Sequence, residues 1–132
     1  MHPENDPRAR LSREDWRAMV AKYQTPENRR SVWQLVNTFV PFAVVWYVMY
    51  LSLNVSYLIT LALSLVGAGL LIRIFIIQHD CGHGSFFRSR KADDVVGSVC
   101  GIFTMTPYFY WRKHHAIHHA NSGKLDDHRG IG

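Results

Sequence analysis

Residues 54–83 read NVSYLITLALSLVGAGLLIRIFIIQHDCGH. Three signals follow one another there. Asn54-Val55-Ser56 is a turn signal. Tyr57 to Ile77 is an apolar run whose single charge is Arg73. At about 1.5 Å per residue, roughly 20 helical residues cross a hydrocarbon core of about 30 Å, so this run is long enough. Directly after it stand His79, Asp80, Cys81, Gly82 and His83. Two histidines four residues apart share one face of a helix.

Upstream of the turn lies a second apolar run, Val32 to Leu53, preceded by Arg29 and Arg30. Thr25-Pro26 suits the start of its helix, with Thr as N-cap and Pro in the first helical position. Gln34 and Asn37 fall near the headgroup end, and Pro41 is expected to kink the helix. Two adjacent runs with basic flanks read as a transmembrane hairpin, spanning about residues 32–53 and about 57–77. The competing reading is a pair of buried helices in a soluble protein. Arg73 is placed to snorkel to the interface. Ser64 and Ala68 offer a small-residue face for helix contact. Further upstream, Ser12 to Tyr23 carries Trp16, Met19, Val20 and Tyr23 at helical spacing among basic residues. That segment fits an amphipathic helix on a membrane surface, or equally one packed on its own domain. Residues 1–31 thus form an N-terminal segment on the cytoplasmic side and 32–132 the main domain.

Downstream, Arg88, Arg90 and Lys91 are basic, and Asp93 and Asp94 are placed to cap a helix. Val95 to Met105 is apolar but too short to cross at about 20 residues per span; it should dip into or lie along the interface. Gly97 and Gly101 would let it approach a neighbour closely. Tyr108 to Trp111 is an aromatic cluster of headgroup type, followed by Arg112 and Lys113. Then come His114, His115, His118 and His119. Two spans return the chain to its starting side. Both histidine clusters therefore share a side with the N-terminal arginines, which the positive-inside rule makes cytoplasmic. The expected class is all-α integral membrane: a two-span hairpin plus interfacial helices that carry the histidine boxes.

Composition narrows the function. Of 132 residues, 48% are apolar and the formal charge is +5, but the basic residues flank apolar runs and form no stripe of their own. That argues for a bilayer and against nucleic acid. Two cysteines make no disulfide framework. Residues 1–31 hold no apolar core of a cleavable signal peptide.

Six of the eight histidines lie in the two clusters. His115, His118 and His119 stand at i, i+3 and i+4, again one helical face. Imidazole is the commonest metal ligand, and five or six exceed what one ion needs. They fit part of a two-metal site. Asp80 stands where a His-Glu-x-x-His zinc protease has its glutamate, and Cys81 and Cys100 form no Cys-x-x-Cys pair. Imidazole suits iron, copper and nickel as well as zinc, so the residues alone say only a first-row metal. A basic interfacial surface is the non-metal alternative.

His79-x-x-x-His83 and His115-x-x-His118-His119, with the paired spans before them, resemble the membrane fatty acid desaturases. His79-Asp80-Cys81-Gly82-His83-Gly84-Ser85-Phe86-Phe87 and Trp111-Arg112 are similar to the acyl-lipid, Δ12-type branch. The resemblance covers about residues 30–132. It implies oxygen-dependent desaturation of a membrane-lipid acyl chain at two iron ions, with molecular oxygen as co-substrate. The implied ligands are His79, His83, His115, His118 and His119. His114 is possible through the alternative spacing His114-x-x-x-His118-His119, and His128 is a weaker candidate. The implied electron donor is a ferredoxin or a cytochrome b5-like protein. The family's third histidine box, near the C-terminus, has no counterpart among these residues. With five or six ligands where two irons need about eight, the chain is expected to be a fragment, weak in metal binding and inactive alone. A related membrane hydroxylase or ketolase, a catalytically silent membrane protein and a zinc-binding module are the alternatives.

Overall fold

The computed structural model describes residues 19–20 and 25–121. Among them every regular element is an α-helix. Four helices of useful length follow in order: α1 (Asn28–Ser52), α2 (Tyr57–His83), α3 (Arg90–Phe103) and α4 (Tyr108–Asn121). The amphipathic helix expected upstream lies outside the described residues, save for helical Met19 and Val20. His2 and His128 lie outside them too.

α1 and α2 are 25 and 27 residues long, about 38 and 40 Å. Both are long and apolar enough to cross a membrane. In their most apolar windows only 11% and 17% of residues are buried. Most of their side chains point away from the described residues, which is not how a soluble core helix behaves. They pack as an antiparallel hairpin. At the turn the Ser52 and Thr60 hydroxyls hydrogen-bond at 2.6 Å, and Ser56 N–H donates to the Ser52 carbonyl. The close approach comes at buried Gly67, where an added Cβ would lie 3.8 Å from both Val45 and Met49. Exposed Ala68 lines the rim of a cavity with Ser64, so the small-residue contact is displaced from the expected pair. Arg73 turns inward, donating from Nη2 to Asn37 Oδ1 at 2.5 Å. A guanidinium in apolar surroundings needs an acceptor, and Asn37 on α1 is near enough to make snorkelling unnecessary.

α2 does not stop at the apolar run. It continues unbroken through His79 to His83, so the first cluster rides on the last turns of a spanning helix rather than on a short helix of its own. Gly84 ends it in the left-handed region at φ 72. Gly84 N–H donates to the Cys81 carbonyl and Ser85 N–H to the Asp80 carbonyl, the paired bonds of a Schellman motif. The loop that follows is tied to the start of α1. Ser31 Oγ donates to the Phe86 carbonyl, and Arg88 N–H donates to Asn28 Oδ1. The basic start of α1 and the first histidine cluster therefore lie at one end of the hairpin.

α3 crosses α2 near Cys81. Ile74, Ile77, Cys81, Phe86, Cys100 and Tyr108 form the buried core there, joined by Phe42 of α1. Gly97 and Gly101 permit the contact: a Cβ at Gly97 would collide with the Tyr108 ring, and one at Gly101 would lie 2.6 Å from the Thr106 carbonyl. At its far end Phe103 meets Phe39 and Phe42 edge-on, at 5.3 and 5.8 Å between centroids. Neither expected aspartate caps the helix. Ser89 is the N-cap residue, and Asp93 reaches back to accept the Phe87 N–H at 2.8 Å. The exposed face of α3 keeps Val95, Val99 and Ile102.

Candidate metal centre

The histidine-bearing helices meet because three polar links, buried or partly buried, hold the chain between them. Gln78, fully buried one residue before His79, accepts from the Thr104 hydroxyl at 2.6 Å and donates to the Thr106 carbonyl. That fixes the α3–α4 connection, in which Met105 adopts a positive φ of 52. Tyr108, 3% exposed, places its hydroxyl 3.0 Å from the Cys81 carbonyl. Asp94 accepts from Arg112 Nη1 at 2.5 Å. No pattern in the sequence flags Gln78 or Tyr108 as structural pins; each reads there as one polar or aromatic residue among many.

So anchored, α4 lays one face against the end of α2. Trp111 stacks on His115 at 4.6 Å and 16°, and also touches His79 and Phe75. Gly82 makes room for it: a Cβ there would lie 2.8 Å from the Trp111 ring. Four imidazoles then converge. His79, His83, His115 and His119 each offer one ring nitrogen, and these four atoms lie within 4.8 Å of one another. Successive Nε2 atoms are spaced 3.2 Å (His79–His83), 3.2 Å (His83–His115) and 3.0 Å (His115–His119). With metal–nitrogen bonds of about 2.1 Å, two ligands at right angles are about 3.0 Å apart. Each successive pair of nitrogens thus has the spacing of adjacent ligands on a first-row ion.

The remaining histidines of the second cluster lie outside this group. The His118 ring is 6.4 Å from that of His115 and 6.0 Å from that of His119. His114 turns to Tyr110, with centroids 4.2 Å apart. Of the two spacings open in the sequence, the structure puts His115, not His114, beside the first cluster. Burial and neighbouring rings favour the neutral form at His83 and His115. Partial burial, and then the neighbouring imidazoles of His79, His119, His83 and His118, hold His115 below the usual imidazole pKa. A neutral ring leaves a lone pair for a metal. Asp80 Oδ1 lies 3.4 Å from His79 Nδ1, a long contact at a partly exposed position.

Comparison with known proteins agrees with this architecture. The Fatty acid desaturase family profile matches residues 54–130. A fatty acid desaturase of Bacillus subtilis (strain 168) is 50% identical over 113 residues, 86% of this chain and 32% of that protein. An oleoyl-12-hydroxylase of Ricinus communis is 36% identical over 77 residues, 58% of this chain and 20% of its own. An sn-1 acyl-lipid omega-3 desaturase (ferredoxin) of Synechocystis is 42% identical over 53 residues, 40% of this chain and 15% of its own. The chain spans at most about a third of the length of these relatives. No solved structure matches it significantly. A profile that covers more than half of the residues, together with these relatives, places the chain in the fatty acid desaturase family.

Proposed function

We propose that this chain supplies one part of the metal centre of an oxygen-dependent desaturase acting on membrane-lipid acyl chains. The observation that carries the reading is the convergence of His79, His83, His115 and His119 at the end of a hairpin able to span a membrane. Those four residues would hold one iron. His118, one helical step away, would serve a second iron together with ligands from outside the described residues. His114 and His128 are the lesser candidates. Iron bound there would activate oxygen strongly enough to remove hydrogen from an unactivated carbon chain, which no side chain can do alone. The protein's own residues do the rest. Trp111, backed by Phe75, covers one side of His79 and His115, and Gln78, Tyr108 and Asp94 fix the spacing of the helices that carry them.

In the proposed setting the spans lie at about 32–53 and 57–77 and both boxes face the cytoplasm, because Arg29, Arg30, Arg88 and Lys113 gather at that end. Electrons would come from a ferredoxin or a cytochrome b5-like protein; the ferredoxin named for the Synechocystis relative supports the first. A hydroxylase is the second reading, favoured by the likeness to the Ricinus enzyme. Both begin with the same hydrogen abstraction and differ in the step that follows.

The test is a chimera in which this chain replaces the matching third of the Bacillus subtilis relative. It is expected to raise acyl-chain unsaturation in a host lacking that product, and His115→Ala is expected to abolish it. Hydroxylated chains in place of unsaturated ones would select the second reading. The 132-residue chain alone is expected to bind metal without turnover. A chimera as active with His115→Ala as without it would sink the proposal.

A further inference from the structure

Outside the rings, one carboxylate is linked through its partners to both histidine-bearing helices: directly to α4, and to α2 by way of Arg90 and Tyr108. Asp94, on α3, accepts from Arg112 Nη1 at 2.5 Å, lies 3.1 Å from the Tyr108 hydroxyl and 3.6 Å from Arg90 Nε. Arg90 in turn donates from Nη1 to the Cys81 carbonyl and from Nη2 to the Gly82 carbonyl, both at 3.2 Å. The Tyr108 hydroxyl also lies 3.0 Å from the Cys81 carbonyl. Cys81 and Gly82 sit between His79 and His83 in the last turn of α2, where carbonyls lack the usual i+4 partner; the Cys81 carbonyl also accepts the Gly84 N–H of the helix cap. Arg112 sits on α4 one turn before His115, on the same face. A single carboxylate therefore joins the backbone of the first cluster to the base of the second.

We propose that Asp94 is a positioning residue that sets the separation between the two histidine clusters and so tunes the metal site. The inference rests on the metal reading above. Two guanidiniums converge on Asp94 Oδ1. Without its charge they repel each other, Arg112 loses its anchor, and α4 is free to shift against α2. Nitrogens spaced 3.0–3.2 Å tolerate little of that, because a displacement on the order of 1 Å takes ligands out of productive geometry. A carboxamide in the same place keeps the size and loses the charge, which isolates the ionic link from packing.

The test uses the full chain in detergent, titrated with Co²⁺ alone and followed by its visible absorption and by far-ultraviolet circular dichroism. Asp94→Asn is expected to weaken Co²⁺ binding about tenfold and to shift the visible band, with helicity unchanged. Arg112→Gln should match it, and the double variant should be no worse than either single change, since both break one link. Asp94→Glu, which restores the charge, should recover part of the affinity. Wild-type affinity and spectrum in Asp94→Asn would overturn the positioning role while leaving the metal site standing. So would a loss of helicity that accounts for the weakened binding. A wild-type chain that binds Co²⁺ no better than His83→Ala would overturn the metal reading, and this inference with it.

Discussion

At the scale of single residues, the site depends on what two positions lack. Gly82 lacks a side chain, and Trp111 fills that space to brace one ring from each cluster. Gly82→Ala would force the indole outward, an overpacking cost of about 1–3 kcal/mol. We expect a chain that still folds, with Co²⁺ affinity lowered and Trp111 more open to an aqueous quencher; unchanged quenching would refute the bracing role. Asp93 lacks a second partner. Its side chain is buried, Oδ1 accepts the Phe87 N–H, and Oδ2 has no hydrogen bond among the described residues. Burial holds its carboxyl above the usual carboxylate pKa. An acid whose pKa is raised by folding binds its proton more tightly in the native state. The stability it lends is therefore present at low pH and lost as pH rises from the unfolded value of 3.8 through the folded one. Asp93→Asn keeps the acceptor and removes the charge. It should stabilise the fold by on the order of 1 kcal/mol at pH 7, with the gain shrinking as pH falls towards 4. Thermal unfolding of both forms across that range checks the sign.

At the scale of elements, the decisive feature is the continuity of α2 from the apolar run into the first histidine cluster. The rotational phase of His79 and His83 is set by a helix fastened along its length, to α1 through Arg73 and Gly67 and to α3 and α4 through Gln78. Inserting one alanine between Gln78 and His79 would turn both rings by about 100° and advance them about 1.5 Å. We expect Co²⁺ affinity to fall more than tenfold while helicity is retained, as seen by titration and circular dichroism. A chain that tolerates the insertion would mean that the cluster is hinged and finds its own phase. The same continuity explains how the periodicity misleads: an apolar run shows where burial in lipid ends, not where a helix ends. The actual end is written in Gly84, the one glycine with a positive φ among the described residues.

At the scale of the whole molecule, the hairpin puts the Asn54–Ser56 turn at one end and both clusters at the other. If α1 and α2 cross a bilayer, these ends face opposite compartments. Val55→Cys, at a position 77% exposed, should react with a membrane-impermeant maleimide on intact cells. Lys113→Cys should react only after permeabilisation. Labelling of both on intact cells would exclude the hairpin topology. The buried positions of Cys81 and Cys100 keep the native thiols out of this assay; burial pushes Cys100 up to about 11.

The sequence by itself determined the helical class, the two long apolar helices and the residue types of the site. Length, periodicity and ligand spacing are local properties, legible from neighbours along the chain. It also left two spacings open for the second cluster, and put caps on Asp93 and Asp94 that neither supplies. Only the tertiary structure decided that His115 and His119 join His79 and His83, that His118 stands outside this group, and that Asp94 on α3 holds Arg112 of α4. The physical reason is that ring convergence depends on the rotation of α4 against α2. That rotation is fixed by Trp111 over Gly82, Tyr108 over Gly97 and buried Gln78, contacts between residues about 11 to 29 positions apart.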